Sequence, residues 1–275
     1  MKATDKSETA IYLFCFAKEG LLPDLSAVEA ESPGADTRLS VFSVAGVAVV
    51  YGFVPLDDFT GTGAEERLSD IDWVGPRAIF HEKVIEGVAR HSPVFPAPFG
   101  TIYLSEGSLL AYLRTHLGTV SKFLDFVSDK NEWAVKAYIE PEKSRETFRG
   151  QFFGGTEELP ASPGARYMQQ RRMQQTAADR FREWIGMILA EARQLLGTSA
   201  SELKQRNPLP ESGLDEPAEM VANWAFLVAG SEEQRLVSSV HQLNELHSEK
   251  GVFFHMSGPW PPFSFTPPLN GDTED

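Results

Sequence analysis

From Leu39 to Leu56 the chain reads LSVFSVAGVAVVYGFVPL, without a single charged side chain. Such a run reaches the lower edge of the ~17–25 apolar residues that cross a bilayer as a helix. It therefore forces a choice between a membrane segment and buried strands. The residues favour strands. Ser40, Ser43, Gly46, Gly52 and Pro55 interrupt the run, and valine dominates its apolar positions. Valine is stiff at χ1 and suits a pleated surface better than a helix. Two short strands turning near Ala45-Gly46 are expected, and no membrane partner.

A hairpin needs neighbours to cover it, and the flanking sequence supplies them. Residues 10–17 read as a strand. Asp70 opens a helix in which Ile71, Val74, Ala78, His81, Ile85 and Val88 recur at alternating steps of about three and four residues, one face of an amphipathic helix, with Asp70 or Asp72 as its cap. Residues 93–99, PVFPAPF, read as an extended edge, because proline removes ladder donors. A second helix is predicted over 105–128, with Ser105 and Ser108 at its start and Leu110, Leu113, Leu117, Val120, Leu124 and Val127 on one face. EWAVKAYIE, 132–140, alternates as a half-buried strand with Trp133, Val135, Ala137 and Ile139 on one side. This order predicts an α+β fold whose N-terminal domain, 1–150, is a ferredoxin-like variant: an antiparallel sheet with helices on one face.

Residues 150–164 are rich in glycine and proline, the composition of a linker. Beyond them a C-terminal α+β domain, 151–275, is expected. Its parts are a long helix over 165–197 ended by Gly197, a loop over 207–217, a strand over 220–230, a helix from Ser231 to about Lys250, a last strand over 251–260, and a proline- and aromatic-rich tail, 258–275.

The formal net charge of −14 and pI near 4.9 argue against nucleic acid and anionic lipid as partners, since both need positive surface. Cys15, the one cysteine, lies in the apolar run IYLFCFA and can form no internal disulfide. The polar start, MKATDKSETA, does not read as a signal peptide, so a reducing, cytoplasmic setting is expected.

No catalytic residue, cofactor-binding motif or metal site is legible in the sequence. HEKVI at 81–85 lacks the second histidine of a zincin helix, and His81 falls in an apolar stripe, where it reads as a hydrogen-bonded core residue. There is no phosphate-cradling glycine loop and no nucleophile elbow. One charge feature opposes the acidic whole: Arg166, Arg171, Arg172, Arg180 and Arg182 crowd the start of the long helix. They read as a solvated face, or as a docking surface for an acidic partner.

Several stretches, taken in order, resemble the gas vesicle GvpL/GvpF family: WVGPRAIFHEKVIEGVARHSPVFPAPFGTIY (73–103), NEWAVKAYIE (131–140), PGARYMQQRR (163–172), NWAFLV (223–228) and GPWPPFSF (258–265). Ala134 stands where the family usually has glycine, Ala97-Pro98 replaces Leu-Arg, and Phe263 replaces a common tyrosine. The resemblance implies a non-enzymatic minor gas vesicle protein of two α+β domains. It implies binding to the small hydrophobic main shell protein and to other gas vesicle accessory proteins, assistance in assembly or nucleation, and a location at the gas vesicle within the cytoplasm. In that light the tail residues Trp260, Phe263 and Phe265 read first as structural, docked on the protein's own body, and second as an aromatic arm for a partner. The rival reading is a ligand-sensing regulatory protein built on paired α+β domains.

Overall fold

The computed structural model describes residues 8–33, 38–61, 63–152, 163–208 and 218–269; for residues 27, 152 and 163–174 it describes the backbone alone. The elements in chain order are β1 (Thr9–Lys18), α1 (Ser26–Glu29), β2 (Leu39–Val44), β3 (Val47–Pro55), α2 (Ala64–Ser69), α3 (Ile71–Ala89), β4 (Val94–Pro96), β5 (Ile102–Tyr103), α4 (Glu106–Phe126), β6 (Lys130–Ile139), α5 (Pro141–Phe152), α6 (Pro163–Gly197), β7 (Glu202–Arg206), β8 (Glu219–Ala229), α7 (Glu233–His247) and β9 (Val252–Trp260). The α+β class with antiparallel sheets in two domains is as expected.

The chain forms two units. The first comprises residues 1–131 and 260–275, the second residues 132–259. The expected change of domain lies at 150, with the tail in the second domain. In the structure the change comes between Asn131 and Glu132, because β6 belongs to the second sheet. It reverses at Trp260, where the chain leaves β9 and rejoins the first unit.

In the first unit the charge-free run is the β2–β3 hairpin, paired from Leu39↔Gly52 to Val44↔Val47. Its two turn residues, Ala45 (φ 50°) and Gly46 (φ 85°), both have positive φ. That is the geometry whose twist matches a two-residue hairpin. β3 pairs in turn with β1, which also carries β4 and β5 on its other side. The β1–β3 register shifts between Leu13 and Cys15, so Phe14 is an extra residue on β1. The bulge sends both Phe14 and Cys15 into the core shared with Phe80, Val84, Ile85 and Val88 of α3. Leu13, Phe16 and their cross-strand partners Tyr51 and Phe95 take the opposite face. There Phe95 meets Phe123 of α4 with ring centroids 5.1 Å apart, and the Tyr51 hydroxyl donates to Glu106 at 2.7 Å. The expected packing of helices on one face is thus extended: α3 and α4 lie on opposite faces, and β1 is buried on both.

Both helix starts follow their sequence signals. The Asp70 carboxylate accepts from the Asp72 N–H, and Ser105 and Ser108 form a reciprocal capping box.

In the second unit the strand order is β7-β8-β6-β9. Val135, Ala137 and Ile139 of β6 line one face with Trp224, Phe226 and Val228 of β8. They pack on Trp184, Ile188 and Leu196 of α6, Leu236 and Leu243 of α7, and Phe148 of α5. The Asn244 side chain clamps α7 to β9, accepting from the Phe254 N–H at 2.7 Å and donating to its carbonyl at 2.9 Å. α5 and β7 were not anticipated. Of the described side chains of PEKSRETFRGQF only Ser144 and Phe148 are buried, and ELKQR is a polar edge strand placed by its pairing with β8.

Candidate functional site

Five arginines were singled out at the start of the long helix. Arg166, Arg171 and Arg172 lie on α6, but their side chains fall outside the described residues. Arg180 and Arg182 are exposed, and the Arg182 guanidinium pairs with Asp179 at 2.6 Å, one turn earlier. Of the described pair, Arg182 faces a cleft.

That cleft, of about 840 Å³, opens between α5, α6 and the N-terminal end of β8. Its floor follows from helix periodicity. Phe148 of α5 is buried and meets Phe181 and Trp184 of α6 at centroid distances of 5.6 and 5.7 Å, and Ile185 and Leu189 continue the same stripe. Arg145 and Arg149, one turn apart on α5, stand on one rim, and Arg182 stands on the rim formed by α6. The Arg145 guanidinium lies 5.9 Å from the Phe181 ring centroid, a cation–π arrangement that orients it over the apolar floor. Glu219, Met220 and Val221 close the third side. Arg182 is marked in the sequence by its charge, whereas Arg145 and Arg149 lie on α5, a helix outside the expected elements. The steps of three and four residues from Arg145 to Phe148 and to Arg149 were the available signal.

A second cavity, of about 450 Å³, lies within the first unit beside Tyr12, Phe59, Phe80 and Phe99, with Arg77 and Asp58 among its polar groups. His81 packs against Tyr12 and Phe99 of its lining, and its protonation can be read from its partners. The Nε2 atom is 3.0 Å from the Ala97 carbonyl, which only accepts, so Nε2 carries the proton. Nδ1 then accepts from the Tyr12 hydroxyl at 3.0 Å, and that hydroxyl accepts from the Gly100 N–H at 3.0 Å. The network joins α3, β1 and the 97–100 turn with every donor and acceptor matched. Burial holds the imidazole neutral, pushing its pKa down to about 4, while the Ala97 contact works weakly the other way. Burial also pushes the Tyr12 hydroxyl and the Cys15 thiol up, so neither offers an anion for nucleophilic chemistry.

In the second unit Glu132 is fully buried and pairs with Arg206 at the end of β7. Among the described residues no cluster of three or more His, Cys, Asp or Glu is placed to hold a metal, and no helix is long and apolar enough to cross a membrane.

The tail lies against the first unit. Pro261 and Pro262 are buried, the Thr266 N–H and hydroxyl both donate to the Pro262 carbonyl, and Phe263 packs on the first core. Phe265 is 5% exposed, whereas Trp260 is 37% exposed.

Comparison with known proteins places this arrangement. Residues 10–267 match the family model described as gas vesicle synthesis protein GvpL/GvpF. Gas vesicle protein L of Streptomyces sp. (strain CB03234) is 25% identical over 224 residues, covering 80% of this chain and 79% of that one. Gas vesicle protein L2 of Halobacterium salinarum is 25% identical over 275 residues, covering 95% and 92%. Two crystal structures share the fold at 14% identity. GvpF from Anabaena sp. PCC7120 has a TM-score of 0.68 over 97% of this chain and 100% of that one, and GvpF from Microcystis aeruginosa has 0.62 over 94% and 99%.

Proposed function

The chain belongs to the gas vesicle synthesis protein GvpL/GvpF family, which gives it a role associated with gas vesicles, and from that premise we propose that it is a non-catalytic assembly factor. It binds the small hydrophobic main shell protein, alone or with other gas vesicle accessory proteins. Binding keeps the shell protein from aggregating until the shell starts or grows. It acts in the cytoplasm at the forming vesicle.

The observation that carries this reading is the family match over nearly the whole chain. The chemistry of the surface supports it. A shell subunit with apolar faces and strand edges aggregates unless something covers them. The second unit offers an apolar cleft with cationic rims beside the end of a strand, the kind of surface that covers such a segment by packing and by main-chain pairing.

Co-expression with the main shell protein tests the proposal. The tagged chain should co-purify with shell protein and raise its soluble fraction relative to shell protein expressed alone. Shell protein that neither co-purifies nor gains solubility would sink the reading.

A further inference from the structure

Building on the shell-binding reading, we propose that the cleft between α5, α6 and β8 is a docking site for an extended protein segment in which apolar and carboxylate side chains alternate.

Two observations converge on that occupant. The first is the floor: Phe148, Phe181, Ile185 and Leu189 form a continuous apolar strip that a strand's inward side chains can fill. The second is the rim: Arg145 and Arg149 on α5 and Arg182 on α6, which also pairs with Asp179, all line that cleft. An extended segment sends alternate side chains to opposite sides, so apolar residues reach the floor while the intervening carboxylates remain level with the guanidinium groups. Glu219 stands at the β8 side, which directs those carboxylates toward the helices.

Charge supplies selectivity. The whole chain carries a formal −14, so an acidic segment is repelled by most of the surface and attracted to this cleft. A segment with lysines in place of the carboxylates would meet the opposite field.

The test uses the full chain and two fluorescein-labelled peptides, one alternating Glu with Val and one alternating Lys with Val. Wild type is compared with the triple variant Arg145→Glu, Arg149→Glu, Arg182→Glu. Arg193→Glu, at an exposed position of α6 outside the cleft, is the control. If the triple reversal does not fold, the corresponding triple Gln variant takes its place. Wild type and control should bind the Glu peptide at least ~10-fold more tightly than the Lys peptide, and the triple variant should lose that preference. Added salt should weaken the wild-type affinity. Equal binding of the two peptides by wild type, or an unchanged preference in the triple variant, would overturn the inference. Capture of the shell protein separates the two readings. If wild type captures it and the triple variant captures as much, the docking site is wrong and the shell reading stands. If wild type captures none, the shell reading fails and the peptide result still decides the cleft.

Discussion

Lowering the pH should loosen the first unit through one buried residue, His81. Its imidazole is 4% exposed and held neutral between the Tyr12 hydroxyl and the Ala97 carbonyl, with its pKa pushed down to about 4 from an ordinary value of 6.5. Between those two values the unfolded chain binds a proton that the folded chain refuses. The contribution is therefore complete above about pH 6.5 and is lost as the pH falls toward 4. Integrating the two titrations from pH 7 to pH 5 gives a loss of about 2 kcal/mol. Protonation at Nδ1 would also set an N–H against the Tyr12 hydroxyl, which already receives the Gly100 N–H. His247 in the second unit shifts in the same direction, through its own burial and then Lys250, so the whole-chain pH profile cannot isolate His81. The assay is urea unfolding at pH 7 and pH 5, read by hydrogen exchange in β1 peptides, for wild type and His81→Gln. Glutamine keeps a donor and an acceptor but does not titrate. The variant is expected to be less stable at pH 7 and to show a pH dependence smaller by about 2 kcal/mol. Equal pH dependence in the two proteins would refute the argument.

Ala45 holds a positive φ beside Gly46 in the β2–β3 turn; Ala45→Asn supplies the residue this turn type prefers and should raise stability by about 0.5–1 kcal/mol in urea titration. In the tail, Phe265→Ala should cost about 3 kcal/mol, because a ring that is 5% exposed leaves a cavity, while Trp260→Ala at 37% exposure should cost clearly less. Paired melting curves of the two variants check that order, and a larger loss at Trp260 would contradict the packing of the tail.

The local elements were legible from residues close in sequence. The hairpin at 39–55 followed from a valine-rich, charge-free run with glycine at its turn, and the starts of α3 and α4 from their capping residues. His81 was readable as a core residue from its position in a helical stripe, because periodicity reports which face is buried. Periodicity does not report what covers it. The bulge that turns both Phe14 and Cys15 toward α3, and with it the burial of β1 on two faces, depends on the register with β3, some 35 residues away. β6 was recognised as a strand, yet its sheet could not be assigned, since alternation is the same in either unit. The tail was read as self-docking from its aromatic content, but rejoining the first unit is a property of where β9 ends. The cleft was the least legible feature. Arg182 was marked by its charge alone, whereas Arg145, Arg149, Phe148 and Met220 acquire meaning only when α5, α6 and β8 converge. Sequence by itself determined most of the elements, the α+β class and the family, because short-range patterning and ordered motifs are carried along the chain. Tertiary structure decided the strand partners, the unit boundaries and the cleft, because these depend on contacts between residues that no local period relates.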